Sequence, residues 1–256
     1  MRRYTAMALM VFVMAWGGCL VAANSGEDLW NRAVAVANSN RNWVPGRVVS
    51  HINMLTRKGR VKDHIETWLK LEEGQEGRIV ASLEKYVKNG IDETEMRKKR
   101  FLEARKKREA ENQKDPGDRA SHGGYAIGLQ DHPFAAESQE SVFFELLQTD
   151  VSVAGKACSL YSYRQKLEGD KVVWRTGKVW IDQESGIPLE NRFTLEPLPS
   201  MVKGFTQRIV YDAESPRAWY PESLEIDGVG GFLFIKKYFR SRVVFSQYFK
   251  RRGDGL

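Results

Sequence analysis

Residues 177–195 constrain this chain more than any other stretch. They predict two strands around a tight turn. Val179 and Ile181 fall on one side of the first strand, with Lys178, Trp180 and Asp182 on the other. Ile187, Leu189, Phe193 and Leu195 follow with period two, broken only at Asn191. Between them, Asp182-Gln183-Glu184-Ser185-Gly186 is rich in turn formers, and Gly186 is free to take positive φ. The adjacency Val179-Trp180-Ile181 puts apolar side chains on both faces of the strand. It recurs in Val172-Val173-Trp174, Phe232-Leu233-Phe234-Ile235, Tyr238-Phe239, Val243-Val244-Phe245 and Tyr248-Phe249. A sheet apolar on both faces has to cover both.

The rest of the chain supplies the strands for such a sheet. Residues 27–37 read as a helix, with Leu29, Ala33, Val36 and Ala37 at helical spacing and acidic residues at its start. Three strands follow, at 47–56, 61–71 and 78–87, joined by short glycine-containing turns as in an antiparallel meander. Residues 138–147 are expected to form a short helix, with Val142, Phe143, Leu146 and Leu147 as its apolar side. Further strands are expected at 157–167, 171–182, 187–195, 205–212, 219–226, 232–240 and 242–249, with a turn at 227–231. About ten strands exceeds the usual four to six, and sheets that large curl or close.

Residues 92–113 interrupt this rhythm. They hold eight Lys or Arg, six acids and few apolar residues, with Glu93/Arg97, Glu95/Lys99 and Glu103/Lys107 as i,i+4 pairs. They predict a solvated helix about 33 Å long that projects into solvent or bridges to a partner. Residues 114–124 read as loop.

The N-terminus sets the compartment. Arg2 and Arg3, an apolar run over 6–13, and Val21-Ala22-Ala23 before Asn24 make a secretory signal peptide. The apolar run is shorter than the roughly 20 residues a spanning helix needs. Cleavage after Ala23 yields a periplasmic protein. An alternative is lipid anchoring through Cys19, since Gly17-Gly18-Cys19 resembles the end of a lipobox, although Trp16 stands where lipoboxes favour Leu. Cleavage after Ala23 discards Cys19 and leaves Cys158 alone, in a strand pattern that suits a small buried hydrophobe. Losing Arg2 and Arg3 lowers the formal charge from +7 by two. The basic clusters at 97–100, 105–108, 236–237 and 250–252 suit an anionic membrane surface or a solvated surface better than nucleic acid, which an exported protein rarely meets.

Catalytic patterns are missing. His51, His64, His122 and His132 are scattered without metal-ligand spacing, and His64 with Glu66 is a single pair on one strand. There is no Gly-x-Ser-x-Gly and no phosphate loop. Asp182 and Glu184 sit in a turn, where Asp is common for backbone reasons. The chain is therefore expected to be no enzyme, with no catalytic residue, metal or cofactor.

The few helices can cover one face of a curved sheet, and the other face is expected to line a hydrophobic groove suited to an acyl chain. Its candidate lining is Trp68, Trp174, Trp180, Phe193, Phe205, Phe232, Phe234 and Phe245, taken as a set. Any single one of these more often fills a core.

The Trp180-x-Asp182 strand and turn in Gly177-Lys178-Val179-Trp180-Ile181-Asp182-Gln183-Glu184-Ser185-Gly186-Ile187-Pro188-Leu189, the preceding strand at 155–163 and the closing strands after Trp219 resemble the LolA/LolB-like superfamily of lipoprotein carriers. The likeness lies in pattern and element order across most of the mature chain. It implies an α+β fold: a strongly curved antiparallel sheet, an unclosed half-barrel, with helices covering one side and acyl chains in the concave face. On this resemblance 24–256 is one LolA-like domain with a charged helical insertion at about 92–124. The charged segment has no counterpart in the lipoprotein carriers, and their basic cavity residue has no match here. The expected function is a lipid- or lipoprotein-binding carrier of the bacterial cell envelope. The alternative is an envelope interaction or sensor module that binds a protein partner without catalysis. Expected partners are a lipid or lipid-modified protein, and a membrane surface or envelope protein docking on the basic helix.

Overall fold

A computed structural model of the protein describes residues 26–74, 77, 79–114, 132–167, 172–198, 201–212, 219–232 and 235–252. Residues 1–23, read above as a signal peptide, residues 115–124, read as loop, and Phe234 lie outside the described residues.

Helix α1 spans 26–40. Strands β1 (Trp43–Val44), β2 (Arg47–Leu55), β3 (Val61–Glu73), β4 (Ile79–Lys88) and β5 (Ile91–Asp92) precede helix α2 (Thr94–Lys114). A 3-10 turn at Ala136–Ser141 leads into β6 (Val142–Val153), β7 (Lys156–Leu167), β8 (Val173–Asp182), β9 (Pro188–Glu196), β10 (Val202–Tyr211), β11 (Pro221–Phe232), β12 (Ile235–Ser246) and β13 (Phe249–Lys250). Eleven strands form one antiparallel sheet in the order β5-β4-β3-β2-β12-β11-β10-β9-β8-β7-β6, and β1 pairs with β13. The sheet joins two meanders through β2 and β12, where Val243 faces Ser50 and Arg242 faces His51. It does not close: the edge strands β5 and β6 are not paired with each other.

The central hairpin forms as expected. The Asp182 N–H donates to the Ile187 carbonyl (2.9 Å), and Gly186 N–H to the Asp182 carbonyl (2.9 Å). Gly186 takes φ 74°, a left-handed conformation that glycine adopts without a Cβ penalty. Burial alone would raise the Asp182 carboxyl. Hydrogen bonds from Ser185 and from the Glu184 N–H, with the Lys156 ammonium at 3.4 Å, more than offset this and hold it below the usual carboxylate range. Arg32 of α1 donates to the Gln183 and Glu184 carbonyls, which ties the helix to this turn.

One face of the sheet carries the core. Leu29, Trp30, Ala33 and Ala37 of α1 pack with Tyr161, Tyr163, Val179, Ile181, Phe193, Ile209 and Leu224. The Trp30 indole stacks on Phe144 at 4.3 Å and meets Phe134 at 4.7 Å. Its Nε1–H donates to Gln139 Oε1 (3.0 Å). Cys158 belongs to the buried interior, as a strand cysteine should, and burial, followed by the Asp182 charge, pushes its thiol up to about 11.

Two expectations about elements are corrected. Residues 138–147 are not a helix: they divide into the 3-10 turn and the start of β6. Val142, Phe144 and Leu146 pair with Gln165, Tyr163 and Tyr161, and Phe143 and Leu147 remain exposed. The apolar positions satisfied both periods, and pairing with β7 decided between them. Among the described residues, α1 is the helix that packs on the core face. The C-terminal strands are also longer than expected. The stretch 227–231 is no turn but part of β11, and 240–242 lies inside β12. Gly228 is there because Phe239 lies over it; a Cβ at 228 would fall 2.2 Å from the Phe239 ring.

The charged helix is present as predicted and meets the sheet at β4. Asp92 Oδ1 accepts from the Thr94 N–H (2.8 Å), and Thr94 Oγ1 accepts from the Tyr86 N–H (2.9 Å). The Arg97–Glu93 pair forms at 3.3 Å, while Glu95 pairs with Lys98 rather than Lys99.

Candidate functional site

Antiparallel register assigns every strand residue to a face. Phe193, Gly177, Gln207 and Ile226 share the core face through β8–β9, β9–β10 and β10–β11 pairing. The positions between them form the opposite face. There, one cross-strand row runs Ser162, Lys178, Arg192, Arg208, Glu225, Arg242, His51, Glu66. The face opposite α1 is thus not a continuous apolar surface, as the doubled apolar positions predicted. Its aromatic rings are interleaved with charges.

Arginines cover those rings. The Arg164 guanidinium lies 4.7 Å over Trp174, Arg192 5.1 Å over Trp180 and Arg47 4.8 Å over Trp68. A guanidinium stacks on an indole while its head stays hydrated. The second face is therefore covered by side chains from its own strands and needs no second layer of helices.

An open groove of about 1190 Å³ lies on this face. Phe143, Leu160 and Trp180 give it apolar walls; Thr176, Thr194 and Thr206 line it as well; Arg164, Lys178, Arg192 and Arg208 supply cations, and Glu145, Glu225 and Asp227 supply carboxylates. Glu190 is held beneath it. Burial would raise its carboxyl, but Arg208 (2.7 Å) and Arg192 bond to it and hold it low. Arg208 also reaches Glu225 at 3.3 Å. Arg192 and Arg208 are thereby fixed in position at the groove.

The eight residues expected to line a groove do not form one set. Trp180 and Phe193 border this groove, and Trp174 contacts it through Phe143 at 6.2 Å. Phe205 meets Phe193 at 6.2 Å and packs on the core, as does Phe245. Trp68 lies on the same face as Trp180 but across the sheet on β3. Phe232 ends β11, and its side chain, like Phe234, lies outside the described residues. The charged row was not anticipated. Its signal is present in Glu190/Arg192, Glu225/Asp227 and Arg240/Arg242, which repeat at the two-residue spacing of one strand face.

No protein-family model and no curated protein matches the chain. Among solved structures it is similar to a DUF1329 family protein from Desulfovibrio piger, at 9% identity and a TM-score of 0.38, over 90% of this chain and 94% of that one. It is also similar to a LolA superfamily protein from Nitrosomonas europaea, at 12% identity and a TM-score of 0.32, over 89% and 93% of the two chains. A third similarity is to the Pseudomonas aeruginosa MucA/MucB complex, at 10% identity and a TM-score of 0.24, over 88% of this chain and 99% of that one.

Proposed function

We propose that the chain is an exported, non-catalytic binding module of the bacterial cell envelope, and that the groove holds the acyl portion of a lipid or lipid-modified protein. The observation that carries this reading is the groove itself: apolar walls at Phe143, Leu160 and Trp180 beside fixed cations at Arg192 and Arg208. That pairing suits an amphiphile with an acyl chain and a polar or anionic head. Each methylene buried contributes about 0.8 kcal/mol, so an acyl chain can be held without covalent chemistry. On this reading the leader ending at Ala23 is removed in the periplasm, and the fold is the half-barrel that the LolA/LolB-like resemblance implies.

A second reading, an envelope module for a protein partner, is favoured by α2. Among the described residues the helix exposes Met96 and Leu102 among its charges and meets the sheet near its N-terminal end. It is then an inserted docking element for an envelope protein or a membrane surface.

Displacement of a fluorescent fatty acid tests the groove. Leu160→Glu and Phe143→Glu place a charge on its wall without entering the core, and each is expected to weaken binding by more than about tenfold, the effect of at least 1.4 kcal/mol. Both variants should unfold at the wild-type denaturant midpoint. Undiminished binding by both would remove the groove from the function.

A further inference from the structure

We propose that His51, His64 and Glu66 form a divalent transition-metal site on the face that carries the groove. The three residues come from neighbouring strands. β2–β3 pairing sets His51 opposite Glu66 and Asn53 opposite His64. His64 and Glu66, two apart on β3, point the same way. One ligand atom from each of the three lies within 4.8 Å of the others.

The hydrogen bonds argue for a cation between them. His64 Nδ1 lies 2.7 Å from Asn53 Oδ1. An amide oxygen only accepts, so Nδ1 carries the proton, and Nε2 of the neutral ring presents a lone pair. Nε2 faces Glu66 Oε1 at 3.1 Å. A cation belongs between these two atoms, a proton on Nε2 or a metal ion bound to both. With bonds of about 2.0–2.1 Å to nitrogen and oxygen, a tetrahedral site separates its ligand atoms by about 3.3 Å. The observed separations are 3.1 Å for His64–Glu66 and 3.8 Å for His51–Glu66.

Asn53 does for His64 what outer-shell partners do in metal sites: it fixes the tautomer and the ring plane. The His51 and His64 rings lie 6.1 Å apart and 23° from parallel. Two imidazoles and one carboxylate suit Zn²⁺, Cu²⁺ or Ni²⁺ and not the oxygen-seeking Mg²⁺ or Ca²⁺. The side chains are 36%, 37% and 30% exposed. A fourth position is therefore open to water or to a donor from a partner.

The test is calorimetric titration of the full chain, produced without an oligohistidine tag, with ZnCl₂ and in parallel with MgCl₂. One saturable equivalent of Zn²⁺ is expected, with no Mg²⁺ binding. H51A, H64A and E66Q should each abolish it, and N53A should weaken it about 10–100-fold. Co²⁺ substitution should give the visible absorption of a four-coordinate ion, lost in H64A. The three positions are partly exposed, so the variants should fold, and far-ultraviolet circular dichroism checks this. No saturable Zn²⁺ binding by the wild type would assign His64 and Glu66 to a plain imidazolium–carboxylate pair and overturn the proposal. Binding that persists in H64A and E66Q would equally overturn it.

Discussion

Replacing Trp30 by alanine is expected to remove about 3–5 kcal/mol of folding stability, the range for deleting a fully buried large aromatic. The residue is 0% exposed. Its ring is stacked on Phe144, tilted on Phe134 and edge-on to Tyr161 at 5.6 Å. Truncation leaves a cavity where α1 meets β6 and β7 through one side chain. It also strands Gln139 Oε1, which loses its indole donor. Gln139 in turn donates to the Pro133 and Ala135 carbonyls (2.8 and 2.9 Å), so the turn before β6 loosens with the helix. Urea unfolding followed by circular dichroism measures the loss. A cost below about 1 kcal/mol, the level of an exposed substitution, would mean that α1 does not seal this face.

The second large effect is polar. Asn191 is 1% exposed and stands on the core face of β9. Its Oδ1 accepts from the Tyr163 hydroxyl at 2.9 Å. Tyr211, also buried, lies beside the same amide. Asn191→Leu keeps the volume and removes the acceptor, leaving the Tyr163 hydroxyl buried without it. Such an orphan costs about 1–3 kcal/mol. Tyr163→Phe removes the orphan, so Asn191→Leu combined with Tyr163→Phe should be more stable than Asn191→Leu alone. Strict additivity of the two changes in denaturant unfolding would show that the hydroxyl and the amide are not coupled.

Asn191 also shows what was legible in the sequence. The period-two pattern of 187–195 broke only there, and the structure turns that break into a buried acceptor for the Tyr163 hydroxyl. The hairpin, α1, the charged helix and the first three strands followed from local signals: turn residues, helical spacing and glycine punctuation. Residues 138–147 did not, because Val142, Phe143, Leu146 and Leu147 fit a helical stripe while Val142, Phe144 and Leu146 fit a strand face. Only the neighbour β7 chooses between them.

The site was less legible, for a single physical reason. Its residues are assembled by cross-strand register, which no local pattern carries. Trp180 and Val179 were readable as a doubled position, but the Arg192 that covers Trp180 comes from the next strand. His64 and Glu66 looked like one isolated pair because His51 joins them only when β2 and β3 align. Charged residues at two-residue spacing on β9, β11 and β12 were the available hint that the second face is amphipathic rather than greasy. The expected aromatic lining correspondingly divides between core and groove: Phe205 and Phe245 pack inward while Trp174 and Trp180 lie under arginines.

The claim that the groove carries an amphiphile is tested most directly by native mass spectrometry of the protein purified from its source. The expected result is a mass increment of an acyl-bearing lipid, absent from the Leu160→Glu variant prepared in the same way. A ligand-free protein that also fails to bind a fluorescent fatty acid would contradict it.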